Sequence, residues 1–351
     1  MNAPVPLALG ELEASFSIPL ECVERSCLDR AGDVRLETLM GGQRRWFHRR
    51  GALHEVWPLD DGSLPLCAQL AADDLPFELL AWRPGRRIAV CRFGESGREF
   101  LKGVRPRRLA AVAEAFERVQ DALGTAQDFL VPRVLQRSSE TAALRTHWLE
   151  FEPIGVNERS EALYHDVGEA LRRFQAAVPI RGLAHHGFSQ ELRVLDCLAD
   201  SVRQALGVLP VGWLELRVRL GRAALPVTED VAVHRDLHDG QLLTDGERVG
   251  LIDLDLLSAG SPVLDIANLT VHMVLRELQG RTEGSLSAAE NCGRALMQGY
   301  GLEEGEAVHG EVRTYQAATF LRLALVYALR PRWDHLPHVL NRYAARCLEE
   351  L

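Results

Sequence analysis

Three oxygen-bearing side chains stand at chemically suggestive intervals in segment 231–257: Asp236, Gln241 five residues later, and Asp253 one hairpin beyond. The short apolar run Val231-Ala232-Val233 leads into the polar string His234 to Gln241, and Leu242-Leu243 resumes apolar character. Thr244-Asp245-Gly246-Glu247 reads as a hairpin turn, followed by an apolar strand that ends at Asp253. All three groups therefore reach the same end of a small sheet. Phosphoryl transfer from a nucleotide needs such a set: a carboxylate to accept or orient the proton of an attacking hydroxyl, and hard oxygens to hold magnesium on the phosphates. Asp236 suits the first task, Gln241 and Asp253 the second. Read instead as His-x-Asp-x-His-Asp over 234–239, the string also has the look of a dinuclear zinc motif and of a metallohydrolase. That reading leaves Gln241 and Asp253 without a role.

Handling phosphate also calls for a cation. Lys102 is the one lysine among 40 basic residues, all others being arginine. An ammonium is a compact point charge and a guanidinium a planar fork, so a lone lysine marks a place where the fork does not fit.

These groups need elements to position them. Phe77–Trp82, a turn at Arg83-Pro84-Gly85-Arg86, Arg87–Phe93, a turn at 94–97 and Arg98–Val104 form the pattern of an antiparallel meander, with Lys102 on its third strand. Arg107–Leu123 carries Leu109, Val112, Ala113, Phe116 and Val119 at helical spacing, with Glu114 and Glu117 one turn apart. Strand-like runs Phe129–Gln136 and Ala142–Phe151 complete five strands and one helix, and Glu150-Phe151-Glu152-Pro153 breaks the pattern like a linker. Beyond residue 155 the chain reads as helical over Ala162–Ala177, Glu191–Leu206, from Met273 onward, and through most of 288–351. Three segments are expected: 1–76, an extension of no assigned role; 77–152, a nucleotide-binding sheet and helix; and 153–351, a helical part with the catalytic loop and substrate site. Asp255, two residues past Asp253 on an alternating strand, is expected to face away or to open the next loop.

The string His234-Arg235-Asp236 with a carboxamide five positions on, then Leu251-Ile252-Asp253 and Asp265-Ile266-Ala267, resembles the aminoglycoside phosphotransferase and choline kinase group of protein-kinase-like small-molecule kinases. The resemblance runs from about residue 77 to the C-terminus. It implies an α+β, two-lobed protein-kinase-like fold with an antiparallel β-sheet N-lobe and a mainly helical C-lobe. It further implies Asp236 as catalytic base, Gln241 and Asp253 as magnesium ligands, and Asp265 and His234 as supports of the catalytic loop. Lys102 becomes the phosphate-binding lysine, paired by spacing with Glu117 in preference to Glu114. The turn bearing Gly85 and Arg86 covers the phosphates, and the backbone of Glu150, Phe151 and Glu152 borders the adenine. ATP and magnesium are the implied cofactors, and the substrate is a small hydroxylated molecule that is aminoglycoside-, choline- or sugar-like. Two departures stand out: Gln241 where the family usually has Asn, and an arginine-rich turn in place of a glycine-rich one. They keep open a nucleotide-binding pseudokinase with a regulatory role.

Composition removes other classes. With 49 acidic against 40 basic residues the net charge is -9, which does not suit a nucleic-acid or anionic-membrane partner. No apolar run approaches the ~20 residues needed to span a bilayer, and Met1–Gly10 lacks the basic start of a signal peptide. Seven scattered cysteines without a C-x-x-C pair read as reduced thiols of a cytoplasmic protein.

Overall fold

The computed structural model describes residues 3–28, 32–73, 75–94, 97–124, 129–226, 228–280, 285–302 and 308–351. Contacts divide the chain into two compact units, one formed by residues 1–57, 186–227 and 307–351, the other by 58–185 and 228–306. Residues 58–76 thus belong with the sheet that follows them, and the helical half of the chain is shared between the units.

In the first unit a four-stranded antiparallel meander (Val23–Leu28, Val34–Met40, Gln43–Arg50, Ala52–Val56) runs in sequence order. Helix Pro4–Phe16 starts on a proline at its first position, where a missing N–H costs nothing. Its buried residues Val5, Ala8 and Leu12 recur at helical spacing and pack with Val34, Leu36 and Phe47 of the sheet and with Ala205. Helices Phe188–Leu206, Trp213–Leu220, Val308–Ala328 and Leu336–Glu349 complete this unit.

The second unit carries the elements that the sequence pattern places around its oxygen ligands. Phe77–Arg83, Arg87–Gly94, Gly97–Val104, Ala143–His147 and Val134–Ser138 form one antiparallel sheet in that spatial order. Gly94 pairs with Gly97 across the expected turn, whose Glu95 and Ser96 lie outside the described residues. The run expected as one strand over 129–136 is split: Phe129–Leu130 pairs in parallel with Val249–Gly250 of a second sheet, and only Val134–Ser138 joins the first. Pro132 lies at the break, and a proline cannot donate to a ladder. Helix Pro106–Leu123 buries the apolar face read from the sequence.

Leu242–Thr244 and Val249–Leu251 form the expected hairpin, extended by Glu152–Pro153 on one side and Phe129–Leu130 on the other. Val231–Val233 pairs with Ser258–Gly260 as a separate ribbon. The helix expected from Met273 begins earlier, at Leu264, and so includes Asp265 in its first turn. Helices Glu161–Ala177 and Leu286–Tyr300 meet backbone to backbone, since a Cβ on Gly168 would strike the Leu296 carbonyl and one on Gly299 the His165 carbonyl. No helix among the described residues is long and apolar enough to cross a membrane.

Candidate active site

The loop after Val231–Val233 is held from beneath by one carboxylate. Asp265, fully buried, accepts the backbone N–H of His234 at 2.7 Å and that of Arg235 at 2.8 Å. Burial pushes its carboxyl above the ordinary range, against the opposing pull of His234 and the two N–H groups. Three residues along the same helix, Asn268 Nδ2 donates to the Arg235 carbonyl at 2.8 Å. Between them these two side chains clamp Arg235 in a left-handed conformation (φ 71°), which a non-glycine residue adopts only when its surroundings enforce it. His234 is fully buried, and its Nε2 donates to the Ile252 carbonyl at 2.9 Å, tying the loop to the strand that delivers Asp253. Asp236 follows, half-buried, at the tip.

Gln241 closes a short 3₁₀ turn (Asp239–Gln241) and is 9% exposed. Its carbonyl receives the Ile252 N–H at 3.0 Å, which ties the backbone of Gln241 to the residue just before Asp253. The Gln241 Nε2 stands 3.3 Å from His238 Nε2. Burial lowers the His238 pKa, although Asp236 and Asp239 pull it upward. A neutral ring accepts from the amide nitrogen, which leaves the Gln241 Oε1 as the end that can take a cation. Asp239, next in the loop, is held by Arg276 at 2.8 Å.

Asp253 itself is left-handed (φ 60°, ψ 56°) and opens a 3₁₀ turn over Leu254–Leu256. Asp255 thus opens the next turn, one of the two expectations, but it does not face away: its carboxylate and that of Asp253 come to the same side. Lys102 Nζ lies 2.5 Å from Asp253 Oδ1 and 2.7 Å from Asp255 Oδ1. Arg87 Nη1 lies 3.1 Å from Asp253 Oδ2 and 3.5 Å from Asp255 Oδ2. Two cations and two carboxylates thus form a closed set, the Lys102 side chain being 5% exposed. Burial works to raise the Asp253 pKa, but Lys102 and Arg87 outweigh it and hold the carboxyl well below the usual carboxylate range. Asp253 is therefore ionised at any physiological pH, as a hard-metal ligand must be. The ionised Asp253, the neighbouring Asp255 and the Gln241 carbonyl are the oxygen donors that suit magnesium.

Lys102 does not pair with Glu117. That residue and Glu114 are both exposed, because the buried face of their helix runs through Leu109, Val112, Phe116 and Val119. The turn at Gly85 also differs from the expected phosphate cradle. Gly85, left-handed at φ 63°, donates its N–H to Asp61 Oδ2 at 2.6 Å. Asp61 accepts from Trp82 Nε1 at 3.0 Å as well, and Arg105 donates to the Gly85 carbonyl. The amide is thereby committed to a carboxylate, and Arg86 is exposed, while Arg87 turns inward.

In the expected linker, Glu150 is 66% exposed with Arg98 at 3.6 Å, and Phe151 lies beneath the Arg248 guanidinium, 5.0 Å from the ring centre. Glu152 pairs with Thr244 in the second sheet. Leu149 and Phe151 close on Gly250, where a Cβ would meet both at 3.1 Å. The dinuclear zinc reading fails, since His234 Nε2 is spent on a backbone carbonyl and no group of three or more His, Cys, Asp or Glu among the described residues is placed to hold a metal. The sequence pattern does not mark Arg87, Asp255, Asp61 or Asn268 as site residues. The i, i+3 pair Asp265 and Asn268 on one helix face was the available signal for the last.

The model of a phosphotransferase enzyme family matches residues 59–337. No curated protein is a significant relative at the sequence level. Among solved structures, a choline/ethanolamine kinase family protein from Mesorhizobium loti is 18% identical, with 82% of this chain and 93% of that one covered (TM-score 0.53). An aminoglycoside phosphotransferase from Streptomyces rimosus is 21% identical over 74% and 95% of the two chains (TM-score 0.52). An amicoumacin kinase is 13% identical over 81% and 93% (TM-score 0.55). At these identities the likeness is one of fold: a protein-kinase-like arrangement of an antiparallel sheet followed by a mainly helical part.

Proposed function

Because the chain belongs to this phosphotransferase enzyme family, we propose that it transfers the γ-phosphoryl group of ATP to a hydroxyl of a small molecule. The observation that carries the reading is the convergence of Lys102 with Asp253, 151 residues apart in the chain, beside a loop clamped by Asp265. Asp236 takes the proton of the acceptor hydroxyl as its oxygen forms a bond to the γ-phosphorus and the bond to the β-phosphate oxygen breaks, releasing ADP. Asp253 and Gln241 Oε1 would hold magnesium, whose charge offsets that developing on the transferred phosphoryl oxygens. Lys102 and Arg87, paired with Asp253 and Asp255 in the resting site, exchange these carboxylates for phosphate oxygens. Arg87 then supplies the donors that the Gly85 amide, held by Asp61, does not. The amicoumacin kinase neighbour was solved with AMP-PNP and Ca2+, and the Streptomyces rimosus enzyme also with ADP and streptomycin, which supports a nucleotide in the corresponding place here. Acceptors that suit the scaffold are aminoglycosides, choline-like alcohols and sugars.

ATP consumption with a panel of such alcohols, with and without magnesium, tests the reading. An acyl-phosphate derivative of ATP should label the Lys102 peptide, and excess magnesium-ATP should suppress the labelling. Labelling that competing ATP leaves unchanged would remove the nucleotide from this site, and bound nucleotide without turnover on any acceptor would favour the pseudokinase.

A further inference from the structure

The sheet that carries Lys102 has a second face. Side chains alternate along a strand, so Lys102 projects to one side and Leu101 to the other. Leu101 is paired across the sheet with Val90 and Arg145, and Arg92 with Glu99 two positions along, which puts Arg92, Glu99, Leu101 and Arg145 together on the face opposite Lys102. Helix Pro65–Ala72 packs on this face, where a Cβ on Gly103 would strike Leu66. Between helix and sheet lies a cavity of about 570 Å³, whose lining includes Leu66, Gln69, Arg92, Leu101, Ser138 and Arg145. That volume is in the range of small-molecule sites.

Its charges are loosely matched. The Glu99 side chain is only 4% exposed, and one of its oxygens sits 3.5 Å from Arg145 Nη1 and 3.9 Å from Arg92 Nε. Ionised partners that satisfy each other approach to about 2.7–2.9 Å. Among the described residues Arg92 has one other acidic partner, Asp73, at 3.5 Å. The Nε of Arg92 and that of Arg145 are buried with no hydrogen-bond partner among the described residues. Two forked cations thus share one buried carboxylate at distances too long for either fork to be filled. Glu140, the one acid in the lining itself, is exposed and screened by solvent.

We propose that this cavity binds an organic oxyanion, a carboxylate or phosphate carried on a small apolar body, between Arg92 and Arg145. The apolar body lies against Leu66 and Leu101, while the Ser138 hydroxyl and Gln69 amide supply further donors. The site is independent of the phosphotransferase reading, since it uses neither Asp236 nor any residue of the Lys102 cluster.

The test places a thiol in the cavity wall with Ser138→Cys and follows its modification by peptide mass spectrometry, which separates it from the native cysteines. Sulfonatoethyl and trimethylammonioethyl methanethiosulfonate are compared, each normalised to its rate with free cysteine. The anionic reagent should be favoured about tenfold, the low end of what a charge-focusing cleft gives, since the two guanidinium groups outnumber the one carboxylate buried between them. Adding Arg145→Ala, or Arg145→Gln where the alanine variant folds poorly, should bring the two rates close to parity. Millimolar benzoate or phenyl phosphate should protect the thiol equally with and without magnesium-AMP-PNP present, and the two compounds distinguish carboxylate from phosphate. Equal rates, a preference for the cationic reagent, a preference that survives loss of Arg145, a thiol closed to both reagents, or protection by neither compound would each overturn the proposal.

Discussion

Replacing Asp265 with Asn keeps the shape of the side chain and removes half of its ability to accept. In the native loop its two oxygens take the His234 and Arg235 amides at 2.7 and 2.8 Å, in a position with no access to water. Hydrogen bonds to a charged group contribute about 1.5–3 kcal/mol each, and a buried donor left unpaired costs about 1–3 kcal/mol. The amide keeps one acceptor, so one bond weakens to a neutral one and the other N–H faces an NH₂ group. Relief of the carboxylate burial that raises the Asp265 pKa offsets part of this loss. A local destabilisation of about 2–3 kcal/mol remains, which corresponds to about 30- to 160-fold faster exchange of the His234 and Arg235 amide hydrogens. Since Arg235 holds its left-handed conformation only while clamped, turnover should fall with it, and nucleotide affinity should change far less. Hydrogen exchange resolved to this loop is the direct assay. Native protection of both amides in the Asn variant, together with unchanged turnover, would refute the clamp.

Asp236→Asn should lower turnover by about two to four orders of magnitude while nucleotide affinity stays near native, because in the proposed mechanism the group acts on the acceptor proton; steady-state kinetics beside nucleotide titration separates the two. Lys102→Arg should lose most activity despite keeping its charge, since a planar fork cannot sit 2.5 and 2.7 Å from two carboxylates as a point donor does; a fully active variant would contradict the fitted site. Gln241→Asn should reduce magnesium-dependent activity, because the shorter amide cannot both reach His238 and present its oxygen to the metal; unchanged magnesium dependence would detach residue 241 from the cation. His238, kept neutral by burial, binds its proton at lower pH in the folded protein than in the unfolded chain, whose histidine titrates near ~6.5. Its contribution to stability is complete above that pH and declines as the pH falls below it. His238→Gln should flatten this part of a denaturation profile between about pH 7 and 5, and an unaltered slope would mean the ring is already charged at neutrality.

Much of the site was legible from local pattern. Turn residues and alternating apolar runs mark the meander that bears Lys102 and the hairpin that brings Gln241 beside Asp253. Helical periodicity gives the buried face of Pro106–Leu123, and the intervals from His234 to Asp265 mark the loop that bears Asp236 and its brace. Chemistry confined to a few adjacent residues is readable in this way because backbone geometry sets which side chains share a strand end.

The partners of the cations were not legible. Helical spacing offers Glu117 to Lys102, yet the apolar face of that helix, once packed, turns Glu117 to solvent. Nothing in the local pattern gives Asp255 a partner, yet the left-handed residue at 253 curls the chain into a turn that brings its carboxylate to the lysine beside Asp253. The Gly85 amide belongs to Asp61, 24 residues earlier, and it is Arg87 rather than the turn that meets Asp253. Each of these pairings joins segments far apart in the chain. Which charges meet there depends on how helix and sheet pack, a condition that no local period records.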